Sequence, residues 1–200
     1  MAVQSGTYRG VSAADRAAER RRRLLDATLS VWAAPDTRTT MTAVCAEAGL
    51  TERYFYESFT GLEQAQTAVL DDVATEIEST TLAAAEAAGP DPAQRIHAAI
   101  TAFVDLLLAD PRKGRVAIVE AGSMPALRSR RTELLRHFAH LAAEEAHETH
   151  RSRRREDELA GLLFIGGMAE VVTAWLDGVL DATPEEVVAT ASRGFLGLYG

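Results

Sequence analysis

TMTAVCAEAGLTERYFYESF, residues Thr40 to Phe59, is a helical pattern cut in two. Ala48-Gly49-Leu50-Thr51 interrupts it, and Tyr54-Phe55-Tyr56 follows at once on the far side. A single long helix would keep its period, and a glycine inside it costs about 1 kcal/mol relative to alanine. The interruption therefore reads as built in. Thr39 or Thr40 supplies an N-cap for a first helix that buries Val44 and Ala48, and Gly49 is the residue best able to take the left-handed conformation that closes it. Thr51 caps a second helix, Glu52 suits the positive end of its dipole, and Phe55 with Phe59 form its inner face. Glu52, Arg53, Tyr54 and Tyr56 fall toward the outside, because one short helix cannot bury three consecutive aromatic side chains. Two short helices joined by a tight glycine turn cross steeply, so the first can lie across a DNA backbone while the second enters the major groove.

Outward from this stretch the periodicity is helical almost throughout, with no convincing run of strand alternation, which makes the chain all-α. A first helix begins near Ser12-Ala13-Ala14-Asp15, a capping box with Asp in place of Glu, stacks Leu25, Leu29 and Trp32, and stops at Pro35-Asp36. Beyond Phe59 a long helix runs from about Glu63 to Ala87, and Gly89-Pro90-Asp91-Pro92 reads as a connector. A helix over Ala93 to Ala109 ends at Asp110-Pro111, and a shorter element covers Arg115 to Ala121. After a turn at Gly122 to Pro125, a long helix runs from about Ala126 to His150. The apolar run Leu159 to Leu176 forms the next helix, and Thr183-Pro184-Glu185-Glu186 announces the last, with N-cap, proline at N1 and a capping-box glutamate.

Composition bounds the rest. With 200 residues, 47% apolar and 25% charged, the chain is ordinary globular material. The lone Cys45 excludes an intramolecular disulfide, and no secretory signal is evident at the N-terminus, so a cytoplasmic location is expected. Leu159 to Leu176 is barely long enough to span a bilayer and contains Glu170 and Gly166-Gly167, so it reads as a helix buried in protein, not in a membrane. Residues 1–61 hold 8 Arg against 7 acids, a net of +1, whereas 62–200 hold 13 Lys+Arg against 22 acids, a net of -9, which together make the -8 of the whole chain. Bulk charge cannot bring this protein to nucleic acid, and any such activity must be local to the first third.

At Thr40, Val44-Cys45, Ala48-Gly49-Leu50-Thr51, Phe55-Tyr56 and Phe59, preceded by an Arg-rich helix ending Leu24-Leu25-Asp26-Ala27, the chain resembles the tetracycline-repressor (TetR) family of bacterial transcription factors. The match runs from the start of the chain to about Leu70 and is specific in combination. The resemblance implies a helix-turn-helix DNA-binding domain over 1–62. It also implies a helical domain over 63–200 that dimerises through its final two long helices and encloses a pocket whose small-molecule effector releases DNA. It places Thr40, Thr42, Thr51, Glu52, Arg53, Tyr54 and Tyr56 at the DNA, a palindromic double-stranded operator. Tyr56 matches the family's phosphate-contacting tyrosine, and Arg53 could grip guanine O6 and N7 in bidentate fashion. Leu62 stands where the family usually has a phosphate-binding lysine, and Ser58 replaces a common histidine. Arg20 to Arg23, with Arg9 and Arg16 before them, are expected to contact DNA, following its backbone or dipping into the minor groove.

For the effector pocket the candidates are Phe103, Leu107, Met124, Phe138, Phe164, Met168 and Trp175, with Glu120 or Glu170 as polar anchors. Gly161, Gly166-Gly167 and Ala174 would permit the close helix approach of a dimer seam. The alternative function is a metal-dependent helical-bundle enzyme, suggested by His137, His140, Glu144, His147 and His150 on one helix. Glu144 and His147 have the Glu-x-x-His spacing of di-iron bundles, but those need a second such motif and none exists, so neither a catalytic site, a metal nor a cofactor is expected. Cys45 reads as a buried small hydrophobe.

Overall fold

A computed structural model describes residues 12–35 and 37–146 in full, the backbone of 147–150, and residues 156–199. Asp36, Arg9 and the side chains of His147 and His150 lie outside the described residues. Every regular element among those described is helical. In chain order these are α1 (Ala13–Ala33), α2 (Met41–Ala48), α3 (Glu52–Ser58), α4 (Leu62–Ala87) and α5 (Pro92–Ala109). A composite helix follows, made of α6 (Pro111–Gly114), a π-helical segment (Arg115–Glu120) and α7 (Ala121–Ser123). A 3-10 turn (Pro125–Leu127) leads into α8 (Arg128–His150), then α9 (Glu156–Leu176) and α10 (Pro184–Tyr199).

The starts of these helices are written in short-range hydrogen bonds. Ser12 and Asp15 form the reciprocal capping box, Asp15 N–H donating to Ser12 Oγ at 3.0 Å and Ser12 N–H to the Asp15 carboxylate at 3.1 Å. Asp91-Pro92, Asp110-Pro111 and Thr183-Pro184 share one device, in which the first side chain accepts a backbone N–H and proline takes the first helical position. The sequence reading treats the first two pairs as stops. Each is also a start, which shortens the α5 to α6 junction to Asp110 alone. Arg112 donates to the same Asp110 carboxylate at 2.7 and 2.8 Å and holds its pKa below the ordinary aspartate value.

The chain divides into two compact units, Met1–Asp71 and Asp72–Gly200. The divide falls inside α4, not between 62 and 63, because the first turns of α4 belong to the N-terminal core. That core joins Leu24 and Ala27 of α1, Val44, Cys45 and Ala48 of α2, Phe55, Phe59 and Ala65, with Leu62 and Ala68 packed against it. Burial raises the Cys45 thiol pKa, with Glu52 a smaller push in the same direction, so this cysteine behaves as a small apolar side chain.

In the C-terminal unit α5 packs on α10 and α8 on α9. Ile96, Ile100 and Val104 meet Val187, Val188, Ala191 and Phe195, and Ala146 of α8 joins them. Gly161 lets α9 approach α8 closely: a Cβ there would drive into the Ala139 carbonyl and lie 3.1 Å from the Tyr199 hydroxyl. This corrects its assignment to a dimer seam, since Gly161 serves packing within one chain. The Tyr199 hydroxyl donates to the Asp157 carbonyl at 3.2 Å, and burial pushes its pKa up to about 12, so it stays a neutral donor.

Candidate functional site

The turn between α2 and α3 has the geometry its sequence implies. Gly49 sits at φ 60° and ψ 36°, its N–H reaching the Ala46 carbonyl at 3.1 Å while Leu50 N–H reaches Cys45 at 2.9 Å. Thr40 caps α2, its hydroxyl oxygen accepting from Ala43 N–H at 3.2 Å. Thr51 begins α3 without a side-chain cap bond, which leaves its hydroxyl unused by the helix it starts. Phe55 is fully buried and Phe59 nearly so, their rings 5.6 Å apart, so the inner face of α3 is fixed by two aromatic anchors.

The opposite face is open. Thr40, Thr42, Thr51, Glu52, Arg53 and Tyr56 are exposed, the Arg53 side chain by 84% and Tyr56 by 59%. Tyr56 rests edge-on against Phe55 at 5.9 Å between ring centroids, which orients its ring while the residue faces solvent. Tyr54 differs from the sequence reading. It is half-buried beneath the Arg20 guanidinium, 4.6 Å from its ring centroid, and ties α3 to α1. Its hydroxyl is the part left for another partner.

The arginine run is used inside the N-terminal unit. Arg20 pairs with Glu57 at 3.7 Å. Arg21 donates to the Ser58 carbonyl at 2.9 Å and lies 4.3 Å from the Phe59 ring centroid. Arg22 pairs with Glu19 at 2.7 Å, and Arg23 donates to the Ala48 carbonyl at the end of α2. Arg20, Arg21 and Arg23 thus lock α1 onto α2 and α3, and Arg21 and Arg23 satisfy carbonyls that helix ends leave open. These three have a role in the fold, whereas Arg22 is exposed and pairs within its own helix.

At the start of α4 the leucine at position 62 also has a structural role. Leu62 is half-buried on the N-terminal core, and Gln64 folds back so that its side-chain oxygen accepts the Thr60 N–H at 2.6 Å. Exposed Glu63 places a negative charge in the first turn. A phosphate approaching this terminus would meet that carboxylate.

Of the effector candidates, Phe103, Phe164, Met168 and Trp175 pack around the cluster that joins α5, α9 and α10. Leu107 is buried in an adjoining cluster with Leu106 and Val172, to which Phe103 also belongs. Trp175 is fixed by its indole N–H, which donates to the Ala182 carbonyl at 3.0 Å. Phe138 lies beside His137, their ring centroids 5.8 Å apart and tilted by 56°. Glu120 accepts from Arg115 at 2.9 Å across the π-helical segment, and Arg115 also holds Asp177 at 2.7 Å, so Glu120 is engaged within the fold. The sequence places a short element here without its π character, and in the structure the Arg115–Glu120 pair spans that segment. Glu170 is exposed. On α8, His137 pairs with Glu78 at 2.9 Å and His140 is exposed, and among the described residues no three His, Cys, Asp or Glu side chains converge.

At the level of sequence, no family model and no curated protein matches the chain. Solved structures do. A TetR-like transcriptional regulator from Rhodococcus sp. RHA1 superposes with a TM-score of 0.70 at 18% identity, covering 90% of this chain and 96% of that one. The fatty acid degradation regulator FadR from Bacillus halodurans gives 0.74 at 17% identity, with 90% and 95% covered. FadR from Bacillus subtilis, solved in complex with stearoyl-CoA, gives 0.70 at 18% identity, with 88% and 96% covered. From the capped helix-turn-helix to the paired final helices, this chain has the fold of the TetR-like transcriptional regulators.

Proposed function

We propose that this protein is a sequence-specific DNA-binding transcriptional regulator, a homodimeric repressor that a small-molecule effector releases from a palindromic operator. The observation that carries the reading is the two-sided α3: Phe55 and Phe59 anchored beneath, Thr51, Glu52, Arg53 and Tyr56 presented above, behind a helix-turn-helix. Arg53 and Thr42 suit base edges or nearby phosphates, and the hydroxyls of Thr40, Thr51, Tyr54 and Tyr56 suit phosphate oxygens. The match to solved regulators over nearly the whole chain supports it.

The effector is an apolar molecule held in the C-terminal unit. Phe103, Phe164, Met168 and Trp175 supply an aromatic and thioether lining for it, and the likeness to the regulator bound to stearoyl-CoA makes an acyl chain the first class to try. Selection from a random-sequence duplex library, followed by fluorescence anisotropy, tests the DNA reading. An enriched palindrome with half-sites about one helical turn apart, roughly 34 to 36 Å, is expected. Failure to enrich any sequence overturns it. On the selected site, Arg53→Ala costs about 1 to 3 kcal/mol and relaxes one base position, whereas Tyr56→Phe weakens operator and random DNA alike. Titrating acyl-CoAs of increasing chain length into the complex then tests the effector class, release being the expected outcome.

A further inference from the structure

The geometry points to Glu57 as the residue that positions Arg53 for reading bases and sets the discrimination between operator and random DNA; this rests on the DNA-binding function proposed above. Glu57 is on α3 one turn beyond Arg53, and its Oε1 accepts from Arg53 Nε at 3.1 Å. Its other oxygen, Oε2, faces Arg20 Nη2 at 3.7 Å, and the Arg20 guanidinium is itself held over the Tyr54 ring. Glu57 is therefore oriented from α1 and in turn orients Arg53. The Arg20 side chain is 26% exposed and that of Glu57 42%, so the inner end of this relay is the more fixed one.

What Glu57 takes from Arg53 matters as much as the contact. A guanidinium has five N–H donors on a rigid plane, and the Nε edge is the one Glu57 occupies. Both terminal amino groups remain, and together they form the end-on pair that matches guanine O6 and N7. Without the carboxylate, an 84% exposed arginine samples many rotamers and closes on any phosphate oxygen within reach. With it, contact with the phosphate backbone is penalised twice, by the occupied Nε and by a negative charge beside the groove. Glu57 thus lowers affinity for all DNA while favouring the one geometry that carries sequence information.

The test is operator and random-duplex affinity for wild type, Glu57→Ala, Glu57→Gln, Arg53→Ala and the double variant, with thermal unfolding of each. Glu57→Ala is expected to bind random DNA more tightly and to lose about tenfold in the operator-to-random ratio, with a steeper salt dependence. Glu57→Gln keeps an acceptor for Nε and recovers most of that ratio, although its random-DNA affinity stays raised. In the Arg53→Ala background, removing Glu57 changes the ratio no further. A Glu57→Ala protein that keeps the wild-type ratio overturns the proposal, as does a loss of ratio that persists undiminished without Arg53. A wild type that selects no sequence instead removes the function on which the proposal stands.

Discussion

Gly49 holds φ at 60°, and an added Cβ would lie 3.3 Å from Arg23 Nη2. The neighbour is the far end of a flexible side chain, so conformation rather than space decides the cost of substitution. Gly49→Ala is expected to lower stability by about 1 to 2 kcal/mol, the penalty of left-handed backbone for a residue with a Cβ. Gly49→Asn should lose less, because asparagine visits that region more readily. Urea unfolding of the two variants checks the order, and equal losses would point to the contact with Arg23 instead. This position was legible because everything it does is local: a helical period, a break and a cap lie within a few residues of one another. The partners of Arg21 and Arg23 were not, since Ser58 and Ala48 stand 37 and 25 residues away and no spacing rule links them. Within the run that reads as a DNA-binding stripe on charge alone, Arg20, Arg21 and Arg23 also clamp helices together, and Arg22 does not.

Among the elements, α1 and α4 show how a helix can depart from what its charge suggests. Because Arg23 closes the end of α2, Arg23→Ala is expected to destabilise the N-terminal unit by about 1.5 to 3 kcal/mol, the range for a hydrogen bond from a charged donor. Thermal unfolding reads it; an unchanged transition would return this arginine to a surface role. On α4, Leu62 rests on the core while Glu63 is exposed. In Leu62→Lys the aliphatic stem can keep the apolar contact and carry an ammonium out to the start of the helix. Affinity should rise by a similar factor on operator and random DNA, because a phosphate contact carries no base information. The slope of log affinity against log salt should steepen by about 0.9. Paired salt titrations on both duplexes check this, and an unaltered slope would show that residue 62 is turned away from the backbone. The sequence places a short element over Arg115 to Ala121, but its π character escaped for a different reason. A π segment keeps helical composition and shifts only the hydrogen-bond spacing, from Val116 O to Ala121 N–H, which residue types do not announce.

At the scale of the whole molecule, α9 is the helix that a single chain leaves incomplete. By length and composition it could cross a membrane, yet only 22% of its apolar window is buried within the chain. Leu159 and Leu163 are 63% and 68% exposed, a Cβ added at Gly166 or Gly167 would meet open space, and Leu198 on α10 is exposed as well. The sequence expectation of a helix buried in protein is thus not met inside one chain, where Ala160, Gly161 and Val172 are its buried residues. Apolar residues exposed in this density on adjacent helices call for a partner, and a second copy burying the same surface by two-fold symmetry is the simplest one. Light scattering should give twice the 21.5 kDa chain mass. Leu163→Glu places a charge where that interface would exclude water, and is expected to return the mass to that of one chain. Because Leu163 is solvent-exposed in the chain itself, the variant should keep its helical circular dichroism and its unfolding cooperativity. Its DNA binding should fall most on the full palindrome and least on an isolated half-site, since linking two readers raises affinity only where both sites are present. A monomeric wild type, or a Leu163→Glu dimer of undiminished mass, would move the interface away from α9.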